Sequence, residues 1–345
     1  MEINTLAEHK HQLQNSEFRP RAREAAKTLG ISEAEYVALS YPSQAQPLDI
    51  DRLQDLLIAV QNLGEVMALT RNDSMVFEHH GSYYNPRFRH NHMILENPPI
   101  DIRLRLNDVS WGFSVNENER LSLQFFDTEG RAIHKIYLTE KSDHHAYHYL
   151  IQKYCTKFVM PSPKSSDHKG ELKAQPSEQE WLEFKKRWEQ MTNSHQLNPL
   201  LKSYGISRPQ AYQQLVDVAT QINPDSVKFT LEQLALLQVP VLIFAPNGVC
   251  TQIHNGTIDK LMETGPWLNV LDKTFHMHLN LPSVSQAWKV YKPSDQEIIE
   301  SIEWFDHANQ PIAMLYLHPK ARKDPTMTAK WQGLLTSICK LLNKH

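Results

Sequence analysis

His195 stands in the run Thr192-Asn193-Ser194-His195-Gln196-Leu197, directly after an amphipathic segment that ends at Met191. Imidazole titrates closest to neutral pH and is the commonest metal ligand, and a histidine just past a helix end can be aimed across a cleft at the sheet of its own half, although an ordinary histidine is the stronger reading of His195 taken alone. Other reactive residues come in spaced pairs. His276 and His278, like His90 and His92, lie two apart and project the same way from an extended chain. In Ile100–Leu106 the polar Asp101, Arg103 and Arg105 alternate with apolar residues. His144 and His148 fit one helix face at a zinc-compatible spacing, but no third ligand accompanies them, and a solvated cluster is the stronger reading. Cys155, Cys250 and Cys339 are far apart and form no CxxC pair, so the sequence suggests neither a disulfide framework nor a cysteine zinc site. Neither a GxSxG elbow nor a nucleotide-binding glycine motif is present.

What must position these residues is a chain written twice. Lys27–Ser32 (KTLGIS) reappears as Lys202–Ser207 (KSYGIS), a step of 175. The same step carries Asn72 to Asn247, His79 to His254 and Leu104 to Leu279. It drifts to 177 for Trp111 to Trp288 and to 179 for Ile133 to Ile312 and Tyr137 to Tyr316. A repeat this long is a duplication of a whole fold and not a solenoid period. Chemistry present in one copy alone marks where the halves have specialised. The residue 175 before His195 is Pro20, which cannot ligate, and the residue 175 before His278 is Arg103.

Period-2 alternation at Ile100–Leu106, Arg120–Phe126 and Ile133–Leu138, and again at Phe275–Leu281, Ile298–Phe305 and Ile312–His318, predicts strands. Short turns at Asp127–Gly130 and Asp306–Asn309 carry residues that tolerate positive φ and imply antiparallel hairpins. Helices gather at the start of each copy, around the Gly-Ile-Ser breaks in Arg19–Leu39 and His195–Val218. The fold class is therefore α+β, two similar halves each with a large antiparallel sheet and helices packed at one side. Expected boundaries are residues 1–160 for the N-terminal repeat, 161–177 for a linker rich in Pro, Ser and Lys, and 178–345 for the C-terminal repeat. Ser177 with Glu180 makes a capping box for a helix whose Trp181, Phe184 and Trp188 share one face.

At 345 residues and 41% hydrophobic content, the chain can bury a core in each half. A net charge of −3 argues against a protein that coats nucleic acid or anionic membrane. The helix-turn-helix-like Ala22–Leu39 lacks clustered cations, so DNA binding is a minority reading. No export signal or membrane-length apolar run is seen, and the chain reads as cytoplasmic.

Several strings together resemble one family, the cytoplasmic haem-utilisation proteins of the HemS, ChuS, ShuS and PhuS type, also called hemin-degrading factors. They are Arg71–Asp73 (RND), Glu78–Asn85 (EHHGSYYN), Ile100–Arg103 (IDIR), Ser194–Gln196 (SHQ), Val239–Phe244 (VPVLIF), Trp267–Val270 (WLNV), Ala287–Pro293 (AWKVYKP) and Ile312–Tyr316 (IAMLY). The resemblance spans nearly the whole chain. It implies one haem, with His195 as axial ligand to the iron, Arg103 on the distal side, and Arg208, Lys292 and Tyr316 as polar pocket residues facing the propionates. His276 and His278 are expected to line the cleft, and the site would be liganded by the second copy and completed by the first.

The chain departs from the family at three places. Phe77-Glu78-His79 replaces His-Glu-Lys, which bears on any accessory haem site. Leu197-Asn198-Pro199 replaces paired aromatics. Leu317-His318-Pro319-Lys320 replaces the usual Gly and Arg, so a propionate contact there would pass to Lys320 or Arg322 or be lost.

The resemblance implies a role in haem uptake and iron acquisition, with an inner-membrane haem importer as source. Two activities stay open: oxidative haem degradation with electrons from an external reductase, since no reductase module is present, or carriage of haem to a separate haem oxygenase.

Overall fold

A computed structural model describes residues 3–17, 20–164, 176–295 and 297–340. Most of the expected linker at 161–177 lies outside the described residues. The chain forms two compact units: Met1–Arg71, Phe77–Ser166 and Asn247–Gln252 in the first, and Asn72–Val76, Asp167–Pro246 and Ile253–His345 in the second. Each unit thus takes in one short segment from the other copy of the repeat.

In chain order the first copy runs α1 (Ile3–Gln14), α2 (Ala22–Leu29), α3 (Glu33–Ala38), β1 (Ala45–Pro47), α4 (Leu53–Ala59), β2 (Gly64–Arg71), β3 (Met75–Ser82), β4 (Arg87–Arg89), β5 (His92–Asn97), β6 (Ile100–Arg105), β7 (Trp111–Glu117), β8 (Arg120–Phe126), β9 (Ala132–Ser142) and α5 (His144–Tyr154). In the first unit β1, β7, β8, β9 and β2 pair antiparallel in that order. A second ribbon joins β4, β5 and β6, with Cys250–Gln252 added beside Leu104–Ile102. Helices α4 and α5 bury Leu56, Leu57, Tyr147 and Leu150 in a core with Leu123, Phe125 and Ile136. Helix α3 buries Ala34, Val37 and Ala38 against Phe113, Val115 and Phe126.

The second copy runs α6 (Glu178–Glu189), α7 (Leu197–Tyr204), α8 (Arg208–Gln214), β10 (Ala219–Ile222), α9 (Ser226–Leu237), β11 (Val241–Pro246), β12 (Cys250–Gly256), β13 (Leu261–Thr264), β14 (Trp267–Leu271), β15 (Phe275–Asn280), β16 (Gln286–Lys292), β17 (Ile299–Phe305), β18 (Pro311–Leu317) and α10 (Pro325–Lys340). Here β10, β16, β17, β18 and β11 repeat the five-stranded order, and β13, β14 and β15 repeat the ribbon. The α+β duplication is therefore present element by element. One pairing in the repeat needs correction. Trp111 lies opposite Phe126 and Gln286 opposite Phe305, so Trp111 corresponds to Gln286 at a step of 175, and its 177-residue match to Trp288 is incidental.

Local chemistry explains the element ends. Ser177 accepts from the Glu180 amide at 3.3 Å while Glu180 accepts from the Ser177 amide at 2.7 Å, the reciprocal box that starts α6. Phe184 and Trp188 are fully buried, and with Leu197, Tyr212 and Phe305 they form the core under α6, α7 and α8. The β8–β9 turn uses Gly130 at φ 73° and the β17–β18 turn uses Asn309 at φ 60°, left-handed positions that glycine and asparagine tolerate best.

Candidate functional site

One face of the second unit's sheet changes character along its width. The registers place Trp288, Glu303, Met314 and Phe244 in one row across β16, β17, β18 and β11, and Val290, Ser301, Tyr316 and Leu242 in the next. Trp288 and Val290 are buried beneath α6, α7 and α8. Leu242, Phe244, Met314 and Tyr316 are half-buried. Glu303 sits at the boundary between the covered and the uncovered strip, and it is fully buried.

Around that carboxylate three sequence-predicted residues converge. Arg208, first residue of α8 after the Ser207 cap, donates from Nη1 to Glu303 Oε2 at 2.9 Å. Tyr212, one helical turn on, donates its hydroxyl to the same oxygen at 2.7 Å. Lys292 Nζ donates to Glu303 Oε1, to Ser301 Oγ at 3.1 Å and to the Tyr316 hydroxyl at 2.7 Å. Ser301 Oγ also donates to Glu303 Oε1 at 3.0 Å. A buried carboxylate is tolerated only when it is paired and hydrogen-bonded, and here four donors serve its two oxygens. Burial alone would raise the Glu303 carboxyl, but Lys292 and then Arg208 outweigh it and hold it down to about 2. Burial likewise works against the Arg208 charge and is overcome, chiefly by Glu303. Two cations against one anion leave the cluster net positive beside an apolar strip.

His195 lies in a 3-10 turn, Ser194–Gln196, that leads straight into α7, with Asn193 Oδ1 accepting from the His195 amide at 3.1 Å. Its residue is exposed. Three positions on, Asn198 Oδ1 accepts from Arg208 Nη2 at 2.9 Å. Residues three apart on a helical path are neighbours, about 5–6 Å between Cβ atoms. The exposed imidazole and the Arg208 cluster therefore belong to the same end of α7. Leu197 is fully buried, so the segment that lacks the family's aromatics turns one residue into the core and gives another to Arg208.

Arg103, on β6 of the first unit, has 31% of its side chain exposed and is ion-paired to Asp101 and, at 2.7 Å, to Glu96. Burial raises the Asp101 carboxyl, and Arg103 only partly offsets it. His278, the Arg103 counterpart, has Nδ1 at 2.7 Å from Asn269 Oδ1 and its ring 6.4 Å from that of His276. Arg322 pairs with Glu297, while Lys320 is exposed. His79 is buried, with Nδ1 2.7 Å from Gln252 Nε2. His144 and His148 are exposed on α5, and no group of three metal-ligating side chains occurs among the described residues. The helix-turn-helix-like segment forms α2 and α3, but α3 is six residues long and its Ala34, Tyr36, Val37 and Ala38 are buried. It presents no free helix to a DNA groove.

Sequence reasoning missed Glu303, Ser301, Tyr212 and Asn198. A signal existed for the first two. Ser122 and Gln124 occupy the same places 179 residues earlier, buried, with Gln124 Nε2 donating to Ser122 Oγ at 3.0 Å. A repeated polar pair inside an apolar strand marks a buried polar site in both copies.

An exposed imidazole, a net-positive cluster with hydroxyl and guanidinium donors, and a half-buried apolar strip suit a flat, apolar ligand that carries carboxylates. Residues 30–154 and 205–338 match the haemin-degrading HemS.ChuX domain, and the chain belongs to that family. It is 33% identical over 329 residues to the hemin transport protein HemS of Yersinia enterocolitica, covering 94% of this chain and 93% of that one. Apo-PhuS of Pseudomonas aeruginosa, a heme-binding protein, superposes with a TM-score of 0.88 at 28% identity, over 98% of this chain and 99% of its own. The heme degrading enzyme ChuS of Escherichia coli gives 0.87 at 28% identity, over 98% and 99%. Among the described residues no helix is long and apolar enough to cross a membrane.

Proposed function

We propose that this chain receives imported haem in the cytoplasm and serves iron acquisition, binding one haem with His195 as the iron ligand. Its haem would come from an inner-membrane importer. The observation that carries the reading is the exposed His195 one helical step from Asn198, which holds Arg208 in the carboxylate-accepting cluster. Arg208, Lys292 and Tyr316 supply the polar edge for the propionates, and Leu242, Phe244 and Met314 the apolar surface for the ring. His278 and His276 are proposed as further cleft residues, and Arg103 as the distal residue on the strength of the family resemblance. Its guanidinium already carries Asp101 and Glu96, which fix its orientation. The counterpart of His195 is Pro20, which supports one axial site and not two.

Haem brings the redox chemistry, and the protein's part is to ligate, orient and neutralise. Two activities follow from this reading, oxidative haem degradation with electrons from an external reductase and delivery of haem to a separate haem oxygenase. Incubating the haem complex with ascorbate or a reductase in the presence of catalase separates them. Loss of the Soret band with tetrapyrrole products is expected for the enzyme, and an unchanged spectrum would make the protein a carrier.

A further inference from the structure

The first unit holds a cavity of its own, bounded by α1, α2, α3 and the β7–β8 hairpin, with Lys10, Tyr36, Ser40, Glu117 and Gln124 among the residues that line it. It is partly open to solvent and has room for only a few heavy atoms. Lys10 is 5% exposed, yet each partner of its ammonium is neutral. Nζ donates to the Tyr36 carbonyl at 2.6 Å and to Ser40 Oγ, and it lies 4.2 Å from the centroid of the Tyr36 ring. Among the described residues its third hydrogen has no hydrogen-bond acceptor and no carboxylate pairs with it. Burial lowers the ammonium from 10.5 to about 8, and Glu117, exposed at the rim, offsets this only by its charge. A buried cation without an anion is costly, and an anion in the cavity beside it would remove that cost.

A second polar group at the cavity is short of a partner. Gln124 is 2% exposed, its Nε2 donates to Ser122 Oγ at 3.0 Å, and its Oε1 is buried with no hydrogen bond. An amide oxygen needs a donor, which a fully deprotonated anion cannot supply.

This arrangement belongs to the first copy alone. Where it has Leu13 and Val37, the second copy has the bulkier Trp188 and Tyr212, both fully buried. Ser40 corresponds to the buried Leu215, and Lys10 to Lys185, which is exposed and paired with Asp217 at 2.6 Å.

We propose that the first-unit cavity binds bicarbonate, with Lys10 as its countercharge and Gln124 Oε1 accepting its O–H. Bicarbonate is a small, planar monoanion that carries both an anionic edge and a hydrogen of its own. Bound there, it ties α1 through Lys10 to β8 and stabilises the packing of α1 on the first unit.

The test compares thermal midpoints of the full chain near neutral pH in sodium bicarbonate, sodium nitrate and sodium chloride of equal ionic strength. A ligand that binds the folded chain alone raises the midpoint with its concentration. Bicarbonate is expected to raise it. Nitrate has the same shape and charge but no hydrogen, and should bind about tenfold more weakly. Lys10→Met should weaken bicarbonate at least about tenfold, and Gln124→Met should bring it down to the nitrate value. Lys185→Met, at the matching place in the second copy, should leave the response unchanged. Line broadening of isotope-labelled bicarbonate in NMR reads the same affinities without heating. Should Lys10→Met fail to fold, Gln124→Met and the comparison of bicarbonate with nitrate still decide.

Equal rises in bicarbonate and chloride, equal affinities for bicarbonate and nitrate, or an unchanged bicarbonate affinity in Lys10→Met overturns the proposal. None of these measurements involves haem, so the haem reading stands or falls separately.

Discussion

Asn72 donates its side-chain amide to the carbonyls of Pro246 at 3.1 Å and Ile312 at 2.9 Å, and Asn247 donates to those of Arg71 at 3.1 Å and Ile133 at 2.8 Å. The two asparagines are 175 residues apart in the repeat, and so are Arg71 and Pro246. Each Oδ1 also accepts from two amides of its own hairpin, Ser74 and Met75 in one case and Val249 and Cys250 in the other. One side chain thus closes its own turn and ties it into the unit that holds it.

Four hydrogen bonds on one amide side chain predict a large and matched cost. Asn72→Ala and Asn247→Ala should each destabilise the protein by about 2–4 kcal/mol, at roughly 1 kcal/mol per bond. Urea denaturation of each single variant checks this, and a cost for one much below that for the other would contradict the equivalence.

Much of this was legible in the sequence because it is local or periodic. The capping box at Ser177 and Glu180, the left-handed turn residues Gly130 and Asn309, and the alternation in Phe275–Asn280 follow from short-range chemistry. The repeat step located Asn72 and Asn247. The buried cluster was legible only in part. Arg208, Lys292 and Tyr316 were named through a resemblance, but their shared partner Glu303 depends on strand registers that no local pattern encodes. Trp111 and Trp288 show the converse, a sequence match that the registers do not support.

Capping at Ser177 gives a second prediction. Ser177→Ala removes the acceptor for the Glu180 amide and should cost about 1 kcal/mol. Ser177→Asp should retain most of that stability, because Asp caps comparably and favours the helix N-terminus. Thermal midpoints compared with wild type are the measurement.

Two buried histidines predict an acid-sensitive fold. Burial lowers His134 from 6.5 to about 3, and lowers His254 from 6.5 to about 4. His134 Nδ1 lies 2.8 Å from Thr70 Oγ1, and its Nε2 meets the Tyr83 hydroxyl. Both folded values are depressed, so the unfolded chain binds protons more readily below 6.5. The stabilisation is complete above that pH and is lost as pH falls toward 3 to 4. Each histidine should remove about 2 kcal/mol between pH 7.5 and pH 5, at 1.36 kcal/mol per pKa unit. Glu303 adds a later loss, from 4.5 toward about 2, because its depressed carboxyl must then protonate. Urea midpoints measured across this range should fall with acid, and His134→Gln should flatten the first part of the curve. A midpoint constant from pH 7.5 to pH 5 would refute the assignment.

His195 carries the last prediction. It is exposed, and its backbone is fixed by Asn193 in a 3-10 turn, so truncating its imidazole removes the proposed ligand without opening a core. His195→Ala should keep the wild-type thermal midpoint, shift the Soret maximum of the haem complex and weaken haem binding about a hundredfold, or about 2.8 kcal/mol. His278→Ala is the internal control. Its Nδ1 is engaged by Asn269 at 2.7 Å, and it stands where the first copy has Arg103 and not where that copy has Pro20. That variant should leave the Soret position unchanged. If His278→Ala moved the spectrum and His195→Ala did not, the iron ligand would lie on β15, and the specialised end of the second copy would be the ribbon rather than the start of α7.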